Sequence, residues 1–453
     1  MKQANSQNHG LKGLEDSTDF TTSKSKNPCH PSNQSQSVMQ TKYSGIEWMG
    51  NVPNHWKRDK LFRICSEMGS GGTPKSTNEG YYDGDIPWIQ SGDLNDGYVS
   101  ETKKKINEEA LVNSSAKMFP KGTLLVAMYG ATIGKLGIME MDAATNQACC
   151  ALQLSTKLLS KYIYYVMIDI RDYLITQAYG GGQPNISQEV LKQQYLYYPP
   201  LPEQKAIADY LDKACARIDR IIAIKEEQLR KIEGYYSSLR HKLITLGINN
   251  TDFISYDDDF LKKVPKHWKK QKLRYLLELK NGKLITNDEL VDDGEIPVYG
   301  GNGIMGRTDK YNYDGELLIL GRVGAKCGNV HYTNQKIWVS DNAISVRSII
   351  NYQYMYQLLT VIDLHRLASE TAQPLLVGNN VKKLYVAIPP ISEQMQIIEK
   401  IEAAHLKTQN LKKKVSLQIK TLQSYRKSLI HECVTGKKQV ADVSMNDKQE
   451  INA

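Results

Sequence analysis

Apolar residues recur at alternating steps of four and three along one stretch of the chain: Leu211, Cys215, Ile218, Ile222, Leu229, Ile232, Tyr236, Leu239, Leu243 and Leu246, with a polar interruption at Lys225. A stripe sustained over about five heptads predicts a long helix with a coiled-coil seam. The step returns less cleanly at Ile397, Ile401, Ala404, Thr408, Leu411, Val415, Gln418, Leu422, Tyr425 and Leu429. Helices of about 40 residues are rods of roughly 60 Å, and neither can bury its stripe alone. The simplest arrangement is an antiparallel pair with a globular unit at each end. The alternative is that each helix docks on its own unit or on a partner chain.

Each helix opens on the same phrase. Pro-Pro-Leu-Pro-Glu-Gln at Pro199–Gln204 returns 190 positions later as Pro-Pro-Ile-Ser-Glu-Gln at Pro389–Gln394. Upstream, Val-Pro-Asn-His-Trp-Lys at Val52–Lys57 returns as Val-Pro-Lys-His-Trp-Lys at Val264–Lys269. Between these anchors the pattern changes to short β-type runs bounded by Gly and Pro. In the first unit they are Asp85–Gln90, Thr123–Tyr129 and Asn146–Leu154, followed by a helix over Ser160–Gln177. In the second they are Glu295–Tyr299, Glu316–Leu320 and Lys336–Val346, followed by a helix from Asn351 to about Ser369. The expected fold class is α+β, with an internal pseudo-two-fold repeat. The expected divisions are 1–42 (polar and disordered), 43–198, 199–247, 248–388, 389–437 and a disordered tail, 438–453.

Composition narrows the function classes. The chain has 453 residues, a formal charge of +9 and a pI near 8.9. A mildly basic balance suits either an ordinary solvated surface or a phosphate-bearing partner. The seven cysteines include no Cys-x-x-Cys pair, which argues against a disulfide framework or zinc site and for a reducing compartment. Cys149 and Cys150, in an apolar run, are expected to be buried. With no span-length apolar stretch and a polar start, a cytoplasmic protein is expected.

Several strings imitate catalytic motifs. Gly301-Asn302-Gly303-Ile304-Met305-Gly306 fits the dinucleotide fingerprint, but no helical period follows it. Gly130-Ala131-Thr132-Ile133-Gly134-Lys135 is one residue too short for a P-loop and lacks its Ser/Thr, so a turn is expected. The Pro-Pro motifs lack the Asn or Asp of an amino-methyltransferase and read as helix-start prolines. Glu278-Leu279-Lys280 with Asp259 imitates a metal nuclease, but the first unit has Glu67-Met68-Gly69 without the lysine. His55-Trp56 and His267-Trp268 are expected to pin the start of each unit. No catalytic residues and no bound metal are expected.

Other features suit DNA. The loop Gly69–Thr77 carries backbone N–H groups, hydroxyls and a cation suited to phosphates, with Gly71, Gly72, Thr73, Lys75 and Ser76 as candidates; the alternative is a solvated linker. Gln90, Ser91, Gln183 and Asn185 offer groups that can pair with base edges. Lys135 and Asn302 join them from the glycine turns, as do Arg307, Arg322 and Lys326, each of which is otherwise a surface charge.

The Trp-bearing starts (Tyr43–Trp48, Val52–Trp56) and the two Pro-Pro-x-x-Glu-Gln helices, in this order and twice over, resemble the specificity (S) subunit of type I restriction–modification enzymes. Gly72–Pro74, Gly84–Ile89, Gly130–Lys135 and Gln183–Ser187 look like phrases of that family's target recognition domains. The likeness covers roughly Tyr43–Lys437; the second unit departs in its loops, with Gln-Pro-Leu for Gln-Pro-Asn-Ile-Ser. The resemblance implies that each unit reads one half of a bipartite DNA target and that the helix pair sets the gap between halves. It further implies that the chain seats two methyltransferase (M) subunits, which use AdoMet, and two restriction (R) subunits, which use ATP and Mg. The chain itself would bind none of these cofactors. The rival readings are a self-sufficient DNA-modifying enzyme and a coiled-coil scaffold with no DNA role.

Overall fold

Two helices of 46 and 44 residues, Leu201–Leu246 and Ile391–Val434, carry the architecture. The computed structural model describes residues 40–178, 185–248, 251–258, 260–370 and 372–440. Each helix follows a Pro-Pro pair, whose fixed φ and missing N–H cost nothing where the first turn has no intrahelical acceptor. The first helix stops at Gly247, which takes φ 68° and donates its N–H to the Leu243 carbonyl. Such a left-handed position favours glycine.

The two helices pack together and run antiparallel, as the ion pairs between them show: partners move down one helix as they move up the other. Asp219 pairs with Arg426 at 3.1 Å, and Glu233 with Lys412 at 2.5 Å. The seam narrows in the middle. Leu211, Cys215, Ile218, Leu243, Ile401, Val415 and Leu429 are buried, while Ile222, Leu229, Ile232, Leu239 and Leu422 are half-buried. On the second helix the expected 3-4 step slips by one residue. The covered stripe runs through Thr408, Lys412, Val415, Ile419, Leu422, Arg426 and Leu429. Leu411 and Tyr425 are 41% and 53% exposed. Long cationic stems cover apolar surface while their heads reach acids on the first helix, and this favours Lys412 and Arg426 over their apolar neighbours.

Each end of the pair is rooted in a different unit. The first unit's core takes in Ile207, Ala208, Leu211, Cys215 and Ile218 from the start of one helix and Leu429, Ile430, Cys433 and Val434 from the end of the other. The second unit's core takes in Ile397, Ile398 and Ile401 together with Leu243 and Ile244. Both units are therefore locked to both rods.

Each unit contains two larger sheets beside two-stranded ones. In the first, five strands run in the order Cys65–Ser70, Cys149–Leu154, Leu124–Ala127, Leu136–Met139, Gly97–Val99. Beside them lie Lys105–Ile106, Ile86–Ile89, Ala143–Thr145 and Lys117–Phe119. The second unit has four strands, Leu277–Asn281, Ala343–Ser348, Glu316–Gly321, Val330–Asn334, beside Gly303–Thr308, Ile296–Gly300 and Trp338–Val339. In both units the chain leaves a strand paired in parallel (Ala143–Thr145 on Ile86–Ile89; Trp338–Val339 on Ile296–Gly300) and enters an inner strand of the larger sheet, second from its edge, within a few residues. The expected single runs Asn146–Leu154 and Lys336–Val346 are thus a strand in one sheet and a crossing into another.

Other expectations shift in detail. The helix expected over Ser160–Gln177 breaks at Ile170 into Ser160–Asp169 and Arg171–Thr176. The helix from Asn351 ends at Ile362, where Asp363 takes a left-handed φ of 54°. Thr41–Tyr43, partly inside the segment expected to be disordered, is a strand on Asn51–Pro53, and Lys42 Nζ donates to the Asn54 and Trp56 carbonyls. Residues 1–39 and 441–453 of the expected disordered ends lie outside the described residues, as do Gln183 and Asp259. Cys149 and Cys150 are buried. Among the described residues no helix is long and apolar enough to cross a membrane.

Candidate nucleic-acid interface

The crossings between sheets organise the candidate residues. In the first unit the crossing is Asn146–Ala148. Asn146 N donates to the Ile89 carbonyl at 3.0 Å, Cys149 N to the Asn146 carbonyl at 3.3 Å, and Met128 N to the Ala148 carbonyl at 2.8 Å. In the second unit Ser340 N donates to the Tyr299 carbonyl at 2.9 Å, Ala343 N to the Ser340 carbonyl at 3.0 Å, and Arg322 N to the Asn342 carbonyl at 3.0 Å. The bonding is the same, with Asn146 matching Ser340 and Met128 matching Arg322.

A glycine packs against each crossing. A Cβ on Gly71 would lie 1.9 Å from the Thr145 carbonyl oxygen, and one on Gly282 would lie 2.0 Å from that of Ser340. Gly72 is equally confined, 1.9 Å from Ser115 Oγ. These glycines shape the loop rather than offering free backbone donors. Gly71 N–H is held by Thr145 Oγ1 at 3.0 Å, and the Gly72 carbonyl accepts from Trp88 Nε1 at 3.2 Å.

Around the first crossing the structure gathers Thr73, whose hydroxyl donates to Gln147 Oε1 at 2.5 Å, with Gln90 and Ser91 one step past Ile89. Asn185, exposed, bridges to Tyr129 beside the Gly130–Thr132 turn, at whose end Lys135 N donates to the Thr132 carbonyl. Lys75 and Ser76 are exposed further along the loop. Around the second crossing it gathers Asn302, Arg322 and Lys326. Asn302 accepts from Asn329 Nδ2, Arg322 Nη1 donates to the Asp341 carbonyl at 3.2 Å, and Lys326 is exposed in the turn facing Gly321. Arg307 stands apart, donating to the Gly294 and Glu295 carbonyls at 3.0 Å each, and so ties down its own hairpin. Sequence reasoning missed Gln147, exposed at the crossing, and its counterpart region Asp341-Asn342. The available signal was a polar residue directly after a β-type run in both units, Asn146 after Thr145 and Ser340 after Val339.

Two of the imitation motifs take ordinary structure. Gly301-Asn302 is a turn between the paired strands Ile296–Gly300 and Gly303–Thr308. Glu278 and Lys280 pair with each other at 2.7 Å on an exposed face. Among the described residues no cluster of His, Cys, Asp and Glu could hold a metal.

The repeated His-Trp and Glu-Gln phrases meet. His55 Nε2 and Trp56 Nε1 bond the Glu203 carboxylate at 2.8 and 3.1 Å; His267 and Trp268 bond Glu393 at 2.7 and 3.1 Å. Gln204 Nε2 donates to the Pro199 carbonyl at 2.8 Å and Gln394 Nε2 to that of Pro389 at 2.9 Å. Each unit's start is thereby clamped to the first turn of its helix, where an acid also meets the positive end of the helix dipole.

This doubled frame has a counterpart among known proteins. Residues 53–234 and 265–421 match the family described as the type I restriction modification DNA specificity domain. The chain belongs to this family. The MjaIX specificity subunit of Methanocaldococcus jannaschii is 26% identical over 429 residues, 87% of this chain and 96% of that one. The EcoprrI specificity subunit of Escherichia coli is 25% identical over 366 residues, 78% of this chain and 86% of that one. In fold, the chain resembles one from a study of assembly and conformational transition of the type I R-M system, with TM-score 0.69 at 13% identity over 84% of this chain and 98% of that one. It also resembles the HsdS subunit from Thermoanaerobacter tengcongensis, with TM-score 0.51 at 13% identity over 85% and 98%.

Proposed function

We propose that the chain is the DNA-reading subunit of a type I restriction–modification complex, each α+β unit reading one half of a bipartite target. The observation that carries this is the crossing repeated bond for bond in both units while the side chains around it differ. Gln147, Gln90 and Asn185 face one crossing; Asn302, Arg322 and Lys326 face the other. Amides and Arg read base edges, and Lys and hydroxyls hold phosphates. The antiparallel rods act as a coiled-coil ruler. At 1.5 Å per residue, 46 residues make about 69 Å.

The rods also form the platform for two M subunits, with R subunits joining through the assembled complex. Three pairs of exposed apolar side chains 190 positions apart support two equivalent seats: Leu201 and Ile391, Ile221 and Leu411, Tyr235 and Tyr425. Beside one of them, an apolar groove of about 270 Å³ is lined by Ile232, Tyr235, Leu239 and Leu411. Exposed apolar surface of this kind marks interaction sites. AdoMet, ATP and Mg belong to the partners, and the reading places this chain in the cytoplasm.

The experiment is a salt-dependent gel shift and a methylation assay on the purified chain with and without M. Binding that weakens with salt, and site-specific methylation only with M present, is expected. Methylation by the chain alone with AdoMet would instead mean a self-sufficient enzyme, and absence of DNA binding with or without M a scaffold.

A further inference from the structure

The second unit has a cavity of about 260 Å³ between the strand Leu277–Asn281 and the short helix Gly378–Lys383. Its apolar wall is Leu279, Ile344 and Leu376; Arg322, Lys382, Asn281 and Asn379 supply its polar groups. The same place in the first unit is found by matching hydrogen bonds. Ile186 N donates to the Met128 carbonyl at 2.7 Å and Leu376 N to the Arg322 carbonyl at 2.8 Å. Ser70 pairs across the sheet with Cys150, and Asn281 with Ile344. So Met128 stands for Arg322, Ser70 for Asn281 and Gln188 for Gly378.

In the first unit Met128 is part of the apolar core, and Gln188 Nε2 spans to Ser70 Oγ at 2.9 Å. In the second, glycine removes the spanning side chain and arginine replaces the apolar one. The result is a pocket with two cations on its wall. Among the described residues neither Arg322 nor Lys382 forms an ion pair, although Lys382 lies in the field of the Glu278 carboxylate, and the guanidinium donates to the Asp341 carbonyl. Two like charges on one partly apolar cavity repel each other unless an anion lies between them. Asn281 and Asn379 also line the cavity, and their side-chain amides are groups that can donate to phosphate oxygens.

We infer that this cavity anchors a phosphodiester of the target DNA, so that the second unit grips the backbone at a point where the first has no equivalent. The inference rests on the DNA-reading function proposed above. It deepens it by assigning Arg322 to phosphate rather than to a base edge. Asn281 immediately precedes Gly282, so the anchor sits at the same end of the sheet as the crossing.

The test uses the full chain with its M subunit, wild type against Arg322→Met, which copies the first unit, and Lys382→Gln, which alters only the rim. The slope of log K against log salt should fall in magnitude by about 0.9 in each variant. The weakening should be equal on every DNA sequence, and the methylated bases should be the same. Inorganic phosphate is titrated against the complex in parallel. Wild-type protection from unfolding by millimolar phosphate, lost in both variants while their DNA slopes stay at the wild-type value, would mean a free-phosphate site and overturn the DNA assignment. A changed base preference in Arg322→Met would overturn it in favour of base reading. A wild type that fails to bind DNA would refute the proposed function itself, whatever the variants do. Lys382→Gln keeps the test decisive if Arg322→Met melts early.

Discussion

Gly71→Ala should damage the first reader and leave the second untouched. The added Cβ would lie 1.9 Å from the Thr145 carbonyl oxygen, against the 3.4 Å at which ordinary contact begins. Something must move by roughly 1.5 Å, and overpacking of this kind costs about 1–3 kcal/mol. The obstructing atom belongs to the backbone of a strand paired on one side with Ile86–Ile89 and on the other with Lys117–Phe119, so it cannot swing aside. The upper half of that range applies, equivalent to a melting shift of roughly 4–12 °C for a domain of this size. Calorimetry should show only one of two transitions moving. Methylation mapping should show errors confined to one half-site. Gly282→Ala, whose Cβ would lie 2.0 Å from the Ser340 carbonyl oxygen, should confine errors to the other half. Gly69→Ala, with nothing within 4 Å of its Cβ, is the control. A Gly71→Ala chain with wild-type melting and wild-type fidelity would refute the reasoning.

Inserting four residues near Ile224 adds about 6 Å and just over one turn, so the seam nearly keeps its face, and the unspecified gap should lengthen by one or two base pairs in a methylome map. A two-residue insert should rotate the seam out of contact and weaken co-purification with M. Glu393→Gln should cost more stability than Glu203→Gln, about 2 against about 1 kcal/mol in denaturant titration. Glu393 is 15% exposed and Glu203 35%, so the second clamp is less screened by water. Burial pushes the thiols of Cys149 and Cys150 up to about 12. Their ordinary value is about 8.5, so the native chain should resist alkylation there at pH 8. The folded values lie above the unfolded ones; their contribution to stability is therefore complete below about pH 8.5 and is lost as pH rises towards 12.

The long helices were legible because their apolar period is local and repeated, and so were the α+β units and the buried cysteines. The slip of the second seam was not. Whether Leu411 or Lys412 turns inward depends on an acid, Glu233, in the other rod. Likewise, Asn146–Leu154 read as one strand because apolar residues predominate from Ala148 onward, and only the polar pair Asn146-Gln147 marks locally where the chain changes sheets. Gly71 was chosen as a source of free backbone donors, but it packs against a carbonyl of its own fold and its N–H is already engaged. Arg307 was chosen for its charge, and the structure spends that charge on two backbone carbonyls. Arg322 was equally anonymous until its counterpart, Met128, was found in the other unit.

The central claim is that two independent readers share one frame, and exchange of residues 43–198 for the matching unit of another family member tests it most directly. The hybrid is assembled with the same M subunits, and the methylated adenines are mapped by single-molecule sequencing. One half of the recognised sequence should change to that of the donor, with the other half and the gap retained. A change in both halves together would contradict the account.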